Sequence, residues 1–377
     1  MLKSPGKSRD IFLGGNTGEG FFSFYGEVAT EETEHLYILK GGPGTGKSTF
    51  IKEAGEEILR LGLPVEFIHC SSDPGSLDGV VFPSLGMAMI DGTLPHAVDP
   101  RYPGTVDEIL NFGAFWDKKK LKKKKKTILE LTRTGSLCFA KAYAYLRAAA
   151  ALYREWSRIN QRLTGEARWR APAKEMEKEI RRRAREKRRG RNSRGKLRQL
   201  FASAITPAGP VHYLESIFQD AGLLYVLEGP PGYGQEPIIK SLLRVAGEKR
   251  LAVEIFHCAL CPEKIDHLWF PEIGTGVITS TPPHQYPAGR NTRVFNLEDP
   301  AAAGNPSRAC AQELAGYAGE IRPVLSGLLE KAVAWLRQAK TIHDKLEDCY
   351  RPCMDFEGLD LLKEKILAEI LSSAESR

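Results

Sequence analysis

The sequence has no long hydrophobic runs. None of its 377 residues belongs to an uninterrupted apolar stretch of about 18 residues, the length that a membrane-spanning helix requires. The first residues, MLKSPGKSRD, also lack the apolar segment of a secretory signal. We therefore expect a soluble, cytoplasmic protein without membrane insertion.

Cysteine is scarce and its number is odd. The seven cysteines are scattered along a chain that is large enough to bury cores without disulfide bonds, so reduced thiols are expected. Cys258-x-x-Cys261 and Cys349-x-x-x-Cys353 would form a four-thiolate zinc site only if the fold joined them. Cys258 aligns with Cys70 in an internal repeat whose first copy lacks the second thiol, and this favours a buried thiol over a zinc ligand.

Acidic residues are few in two segments where basic residues accumulate. The formal net charge is +7, with 15 Lys or Arg against 4 Glu between Arg168 and Arg198 and eight lysines between Lys118 and Lys126. The rest of the chain is therefore net acidic. Such clusters are usually solvated surfaces, but they also suit a nucleic-acid backbone, an acidic protein or a membrane surface. Nothing in the sequence matches an RNP motif, a zinc finger or a helix-turn-helix.

The most informative feature is an internal repeat. LYILKGGPGTGKS, from Leu36 to Ser48, returns 188 residues later as LYVLEGPPGYGQE, from Leu224 to Glu236. The same offset aligns VEFIHC at 65–70 with VEIFHC at 253–258. Upstream the offset is 189 and downstream it is 190, so the repeat extends well beyond the glycine-rich stretch. We interpret the chain as a duplication.

The first copy contains a phosphate-binding loop of the form G-x-x-x-x-G-K-[ST] between an apolar strand and a helical pattern. Backbone N–H groups of such a loop bind phosphates, its lysine reaches the β- and γ-phosphates, and its serine hydroxyl ligates Mg²⁺. The sequence thus predicts ATP and Mg²⁺ as cofactors. The predicted nucleotide-binding residues are Gly41, Gly42, Pro43, Gly44, Thr45, Gly46, Lys47, Ser48 and Thr49.

The second copy has lost this chemistry. Gln235 replaces the lysine and Glu236 replaces the serine, so a fixed cation is lost and an anion is gained where phosphate would bind. Tyr233 also adds bulk where the first copy has Thr45. We expect the second loop to be empty of triphosphate.

Residues lost together with the lysine are candidates for nucleotide chemistry. Asp91 ends the apolar run MAMI and becomes Thr279 in the second copy, so we predict that Asp91 ligates Mg²⁺ together with Ser48. Asp73 and Asp78 are the candidates for positioning the attacking water, and Asp73 is favoured because it becomes Cys261 in the second copy. Lys47, Asp91 and Asp73 form the predicted catalytic set.

Three other polar residues persist in both copies and are therefore interpreted as structural. Asp78, His69 and His96 of the first copy return in the second as Asp266, His257 and His284.

The alternation of strands and helices predicts an α/β fold. We expect tandem P-loop NTPase-type units of three α/β/α layers with mainly parallel sheets, joined by a basic helical arm or connector. The predicted divisions are an active core at 1–117, the helical arm at 118–199 and a degenerate copy at 200–377.

Four strings in the first copy resemble a family of duplicated bacterial P-loop ATPase-like proteins, most of them uncharacterised. They are GGPGTGKST, VEFIHCSSDP-x-SLDGVVFP, IDGT-x-PH and DPRYPG. The resemblance implies ATP binding and hydrolysis and supplies no substrate. Members of that family keep a lysine in the second loop, and the loop from Gly229 to Glu236 departs from that pattern.

The leading hypothesis is a Mg²⁺-dependent ATPase, which could form oligomers. Two other classes of function stay open. The same site could transfer the γ-phosphate to a small molecule, in which case Arg101 or Arg133 would close over the phosphates as a lid. Alternatively, the loop could gate nucleic-acid binding by the basic segments, with little hydrolysis.

Overall fold

The fold is taken from a computed structural model that describes residues 5–29, 32–164, 166–187, 195–281, 286, 289, 291–298 and 308–375. The first half contains β1 (Ser8–Ile11), β2 (Gly14–Thr17), β3 (Gly20–Ser23), β4 (His35–Lys40), α1 (Lys47–Arg60), β5 (Val65–His69), β6 (Leu77–Phe82), β7 (Met87–Asp91), β8 (Asp107–Asn111), α2 (Lys118–Lys123), α3 (Lys125–Thr164) and α4 (Ala167–Lys187). The second half contains β9 (Leu197–Phe201), β10 (Ser203–Thr206), β11 (Gly209–His212), α5 (Leu214–Ile217), β12 (Leu223–Glu228), α6 (Gln235–Lys249), β13 (Val253–His257), β14 (Ile265–Phe270), β15 (Thr275–Ser280), β16 (Thr292–Asn296), α7 (Arg308–Tyr350) and α8 (Phe356–Glu375).

Each half builds one six-stranded sheet, and the two sheets have corresponding strand orders. The first runs β1-β5-β6-β7-β4-β8, and the second, read in the same direction, runs β9-β13-β14-β15-β12-β16. Parallel and antiparallel pairs also occur at corresponding places in the two sheets. The predicted α/β class is therefore present at the level of two mostly parallel, mixed sheets with helices.

The mixed character comes from β6 and β14, which the sequence pattern does not predict as strands. Each is antiparallel to both of its neighbours. Only residues 70–76 separate β5 from β6, and only residues 83–86 separate β6 from β7. Connections this short allow hairpins but leave no room for the crossover that parallel strands need.

Successive residues of the strands point into two different cores. In β4, Tyr37 and Leu39 face α1, whereas Leu36 and Ile38 face a core that contains residues of both halves. Strands β12 and β15 divide their side chains in the same way. The longer helices thus cover one face of each sheet, and the shared core, to which the one-turn helix α5 contributes Leu214 and Ile217, covers the other. The predicted three-layer arrangement is wrong for this reason.

The long helices exchange partners between the halves. Helix α8, at the end of the chain, buries Leu359, Ile366 and Ile370 in the core of the first sheet and α1. Helix α4, from the first half, packs along α6 and buries Met176 and Ile180 against the second sheet. Each sheet therefore receives a helix that belongs to the other half of the sequence.

The helices of the predicted basic arm or connector pack against the rest of the protein. Helix α3 packs lengthwise against α7, and α4 is part of the second core. The reason is the apolar stripe of α4, which recurs at helical spacing between the charged residues and is removed from water by packing. Among the described residues, no helix has the length and apolar character needed to cross a membrane.

Candidate functional site

The first glycine-rich loop joins β4 to α1 at the carboxyl end of the sheet. Gly44 and Gly46 have φ angles of +66° and +86°, in the left-handed region that glycine adopts without strain. A Cβ on Gly44 would lie 3.2 Å from the backbone of Glu347, so a side chain there would crowd that helix. Helix α1 begins at Lys47, which leaves the N–H groups of its first turn without intrahelical partners.

Lys47 lies at the centre of the loop. Its ammonium group donates hydrogen bonds to the carbonyl oxygens of Gly41 at 3.0 Å and Gly42 at 2.9 Å. The Oδ2 atom of Asp91 is 3.5 Å from the same Nζ atom. Thr45 donates its hydroxyl to the carbonyl of Gly42 at 2.9 Å. The structure thus brings together the predicted lysine and the predicted strand-end aspartate.

The two predicted Mg²⁺ ligands lie at the ends of elements that converge on one edge of the sheet. Leu39 of β4 pairs with Asp91 of β7 in a parallel register, which places Asp91 beside the start of the loop. Its Oδ1 atom accepts hydrogen bonds from the N–H and hydroxyl of Thr93. Ser48 accepts a 2.8 Å hydrogen bond from the N–H of Leu77. A hydroxyl and a carboxylate are the hard oxygen donors that Mg²⁺ takes.

The remaining predicted loop residues differ in their surroundings. Gly42 is overlaid by two rings, because a Cβ on it would lie 3.1 Å from Trp116 and 3.3 Å from Tyr350. Pro43 is half-buried, and Thr49 is exposed on α1. The loop is therefore covered on one side by aromatic rings.

Asp73 lies in the turn between β5 and β6 and pairs with a lysine that no sequence motif marks. Its carboxylate accepts hydrogen bonds from the hydroxyl of Ser76 at 3.0 Å and the N–H of Gly75 at 3.3 Å. Lys340 of α7 forms an ion pair with it at 3.2 Å. The partners of Asp73 therefore include a residue 267 positions further along the chain.

The second loop keeps the shape of the first without its charge. Gln235 donates its side-chain amide to the carbonyl oxygens of Gly229 at 3.2 Å and Pro230 at 2.9 Å. These are the positions that correspond to the two acceptors of Lys47. Glu236 is exposed and forms an ion pair with Lys240 one turn along α6. An amide thus replaces the ammonium group as the hydrogen-bond donor inside the loop.

A buried polar cluster lies close to the first loop. Cys70, Asp78 and His96 bring one possible ligand atom each within 4.8 Å of one another. Asp78 accepts a 2.7 Å hydrogen bond from the hydroxyl of Tyr25 and lies 3.3 Å from His96. Burial raises the pKa of Asp78, and burial together with Asp78 raises the pKa of the Cys70 thiol well above its usual range.

The same thiol and carboxyl pair exists in the second half. Burial raises the pKa of Asp266 to about 6, and a hydrogen bond from Cys258 opposes this shift. His69 and His257 likewise contact the carbonyls of Pro74 and Pro262, at corresponding positions. Because these contacts are present with and without an intact loop, they support a structural role. His284 lies outside the described residues.

The two basic segments have different surroundings. In α4, Arg181, Arg182 and Arg183 hydrogen bond or pair with neighbouring carboxylates, and Arg198 pairs with Glu66. Seven of the eight lysines in 118–126 are exposed instead, and Lys120 pairs with Asp117 at 3.4 Å. Much of the charge on α4 is thus neutralised inside the protein, whereas that on α2 faces water.

The two arginines predicted as lid candidates lie elsewhere. The guanidinium of Arg101 is beside Gly26, and Arg133 is exposed on α3. Apart from Trp116, the groups that cover the first loop come from α7 and α8. The repeat offset of 190 aligns α3 with α7 and so indicates that both are helices of the same kind. The offset does not indicate which loop each helix covers.

Comparison with protein-family models, curated proteins and solved structures found no match to this chain. The interpretation of the candidate site therefore rests on the residues and the geometry of this chain.

Proposed function

We propose that the protein is a Mg²⁺-dependent P-loop NTPase that binds and hydrolyses ATP at the first loop. In this proposal the chain is a duplicated P-loop protein, and its second loop is a structural remnant. One observation carries the proposal: Lys47 and Gln235 make the same pair of hydrogen bonds, but only Lys47 carries a charge and faces an aspartate at 3.5 Å. A loop that needs only its shape can use glutamine, whereas a phosphate site needs the cation.

The residues of the first loop would divide the work as follows. The free N–H groups at the start of α1 and the ammonium of Lys47 would bind the phosphates and stabilise charge on the transferring phosphoryl group. Ser48 and Asp91 would hold Mg²⁺, which neutralises phosphate charge when bound. Asp73 would orient the attacking water from the neighbouring turn. Hydrolysis breaks the bond to the γ-phosphorus and forms one to the water oxygen, giving ADP and phosphate.

Calorimetric titration with ATP tests the binding part of this proposal. We expect a single ATP per chain in the presence of Mg²⁺. Asp91→Asn should weaken ATP binding by about tenfold with Mg²⁺ present, because one charge-assisted ligand is lost. With EDTA present, the variant and the parent protein should bind ATP with similar affinities. Asparagine keeps the oxygen that accepts from Thr93, so the turn is preserved.

The matched control is Asp99→Asn, which changes an exposed aspartate that pairs with Lys40. This variant should bind ATP as the parent protein does. Two equivalent ATP molecules per chain would refute the inactive assignment of the second loop. Equal Mg²⁺ dependence in Asp91→Asn and the parent protein would remove Asp91 from the metal site.

Nucleic-acid binding is a second candidate function, and the exposed lysines of 118–126 favour it. Changing three of them to glutamine should weaken binding of single-stranded RNA or DNA at low salt. In a plot of log affinity against log salt concentration, the negative slope should become shallower by about 2. Binding releases fewer counterions when three lysine–phosphate contacts are lost. The three positions are Lys119, Lys122 and Lys123.

A matched triple variant on α4 separates local from general charge effects. It replaces three exposed lysines of that helix and should leave most of the binding intact. These positions are Lys174, Lys178 and Lys187. Equal losses in both triple variants would mean that net charge alone governs binding, and no binding by the parent protein would exclude this candidate.

A further inference from the structure

The first loop is covered by helices from the other half of the chain. The side of Gly44 on which a Cβ would lie is 3.2 Å from Glu347 of α7. The corresponding side of Gly46 is 3.7 Å from Leu359 of α8 and 3.7 Å from the Nζ atom of Lys363. Every nucleotide-binding residue proposed above belongs to the first half, whereas this cover comes from the second.

The second loop is covered in the corresponding manner by helices of the first half. Gly232 contacts the backbone of Ser157 in α3, and Gly234 contacts Trp169 in α4. Ser157 and Glu347 are 190 residues apart, and so are Trp169 and Leu359. The spatial positions and the sequence offset therefore give the same alignment, of α3 with α7 and of α4 with α8.

This alignment identifies two lysines, both on the helices that cover the intact loop, that have no charged counterpart on the helices over the second loop. Lys340 corresponds to Ala150 and Lys363 corresponds to Ala173, and both alanines are buried against the second half. Arg168, which lies near the second loop, donates to the carbonyl of Leu297 instead. The two lysines thus follow the pattern of Lys47: present in the intact copy and replaced by an uncharged residue in the other.

The surroundings of Lys363 favour the binding of an anionic ligand. Its side chain is only 13% exposed, and its ion pair, at 3.0 Å, is with Asp360, which is itself 58% exposed. Lys47, only 9% exposed, and the start of α1 add further positive charge close by. Each of the two lysines has one carboxylate partner, and positive charge that is sheltered from water is stabilised further by an additional anion. A polyphosphate would supply that charge.

We propose that the nucleotide site is composite, with Lys363 of α8 binding the phosphates opposite the loop and Lys47 binding them from within it. Lys340 is then a positioning residue, because it holds Asp73 rather than the nucleotide. This inference rests on the proposed function and adds to it a catalytic cation from the second half. It also gives that half a role although its own loop is degenerate.

Substitutions of Lys363 test the inference in the full chain. Lys363→Gln removes the charge with the same residue type that stands at position 235 in place of the loop lysine. It should weaken Mg²⁺-ATP binding by about tenfold or more. Lys363→Arg keeps the charge and should retain most of the affinity. The matched control is Lys365→Gln, because Lys365 lies on the same helix but is 72% exposed and pairs with Glu369. Thermal unfolding would verify that all three variants fold.

A labelling experiment on the unmodified chain covers the case in which a variant does not fold. Acetylation by a water-soluble ester, read by mass spectrometry, should be suppressed at Lys363 by Mg²⁺-ATP and unchanged at Lys365. Loss of binding in Lys47→Gln but not in Lys363→Gln, without protection of Lys363, would overturn the composite site and leave the proposed function standing. Absence of ATP binding by the parent protein would overturn both.

Discussion

Replacing Lys47 by glutamine should lower kcat/KM for ATP hydrolysis by on the order of 10²–10³-fold, the loss typical of removing one donor that stabilises transition-state charge. Glutamine is preferable to alanine because Gln235 already makes the corresponding hydrogen bonds to the second loop. Lys47→Gln should therefore keep the shape of the loop and remove only its charge. Steady-state release of phosphate at saturating Mg²⁺, with unfolding curves for both proteins, would measure the effect.

Gln235→Ala is the counterpart in the second half. It removes two hydrogen bonds inside the loop and should reduce stability by about 1–3 kcal/mol if its carbonyl acceptors are left unsatisfied. ATP turnover at a temperature where the variant is folded should not change. Equal losses of turnover in Lys47→Gln and Gln235→Ala would mean that both loops serve catalysis, contrary to the proposal.

The local elements of the site could be predicted from the sequence because their causes are local. The run Leu36 to Leu39 is apolar throughout and precedes glycines that a left-handed turn requires, so a strand, loop and helix follow in order. Strand β6 could not be predicted in the same way. Its sequence, LDGVVF, carries Asp78 and Gly79, which are typical of turns, and it is a strand because both neighbours supply hydrogen-bond partners.

The cover of the loop depends on long-range packing, which periodicity does not specify. Helices α3 and α7 show similar apolar spacing, and the same pattern would allow each to return to its own sheet. The exchange becomes visible only when Glu347 of α7 is found beside Gly44 and Ser157 of α3 beside Gly232. The sequence pattern predicts which face of a helix will be buried. It does not predict which part of the protein that face will pack against.

The contact between the halves contains a cluster of four charges at corresponding positions of the two sheets. Arg9 and Arg198 lie on corresponding strands, and so do Glu66 and Glu254. Arg9 pairs across the interface with Glu254, and Arg198 pairs across it with Glu66. Each arginine also approaches the glutamate of its own half, at 3.4 and 3.5 Å. Four alternating charges thus join the two sheets.

Glu66→Ala should destabilise the protein by about 3–5 kcal/mol, because removing one member of a buried ion pair leaves its partner charge uncompensated. Glu66 is only 6% exposed, and its loss would leave two guanidinium groups facing Glu254 alone. Urea denaturation at neutral pH would give the free energy of unfolding. As the control, Glu236→Ala removes an exposed glutamate that pairs with Lys240 and should change stability by less than about 1 kcal/mol.

The stabilisation by Glu66 should also depend on pH. Burial alone would raise its pKa, but the guanidinium groups of Arg198 and Arg9 outweigh burial and hold the pKa below its ordinary value of 4.5. A depressed pKa in the folded state means that the stabilisation is fully present above the ordinary value and is lost as the pH falls through the lower folded value. The stability difference between the parent protein and Glu66→Ala should therefore be constant at neutral pH and shrink below about pH 4.5. A difference that stayed constant into strong acid would show that the cost of Glu66→Ala comes from the cavity and not from the charge.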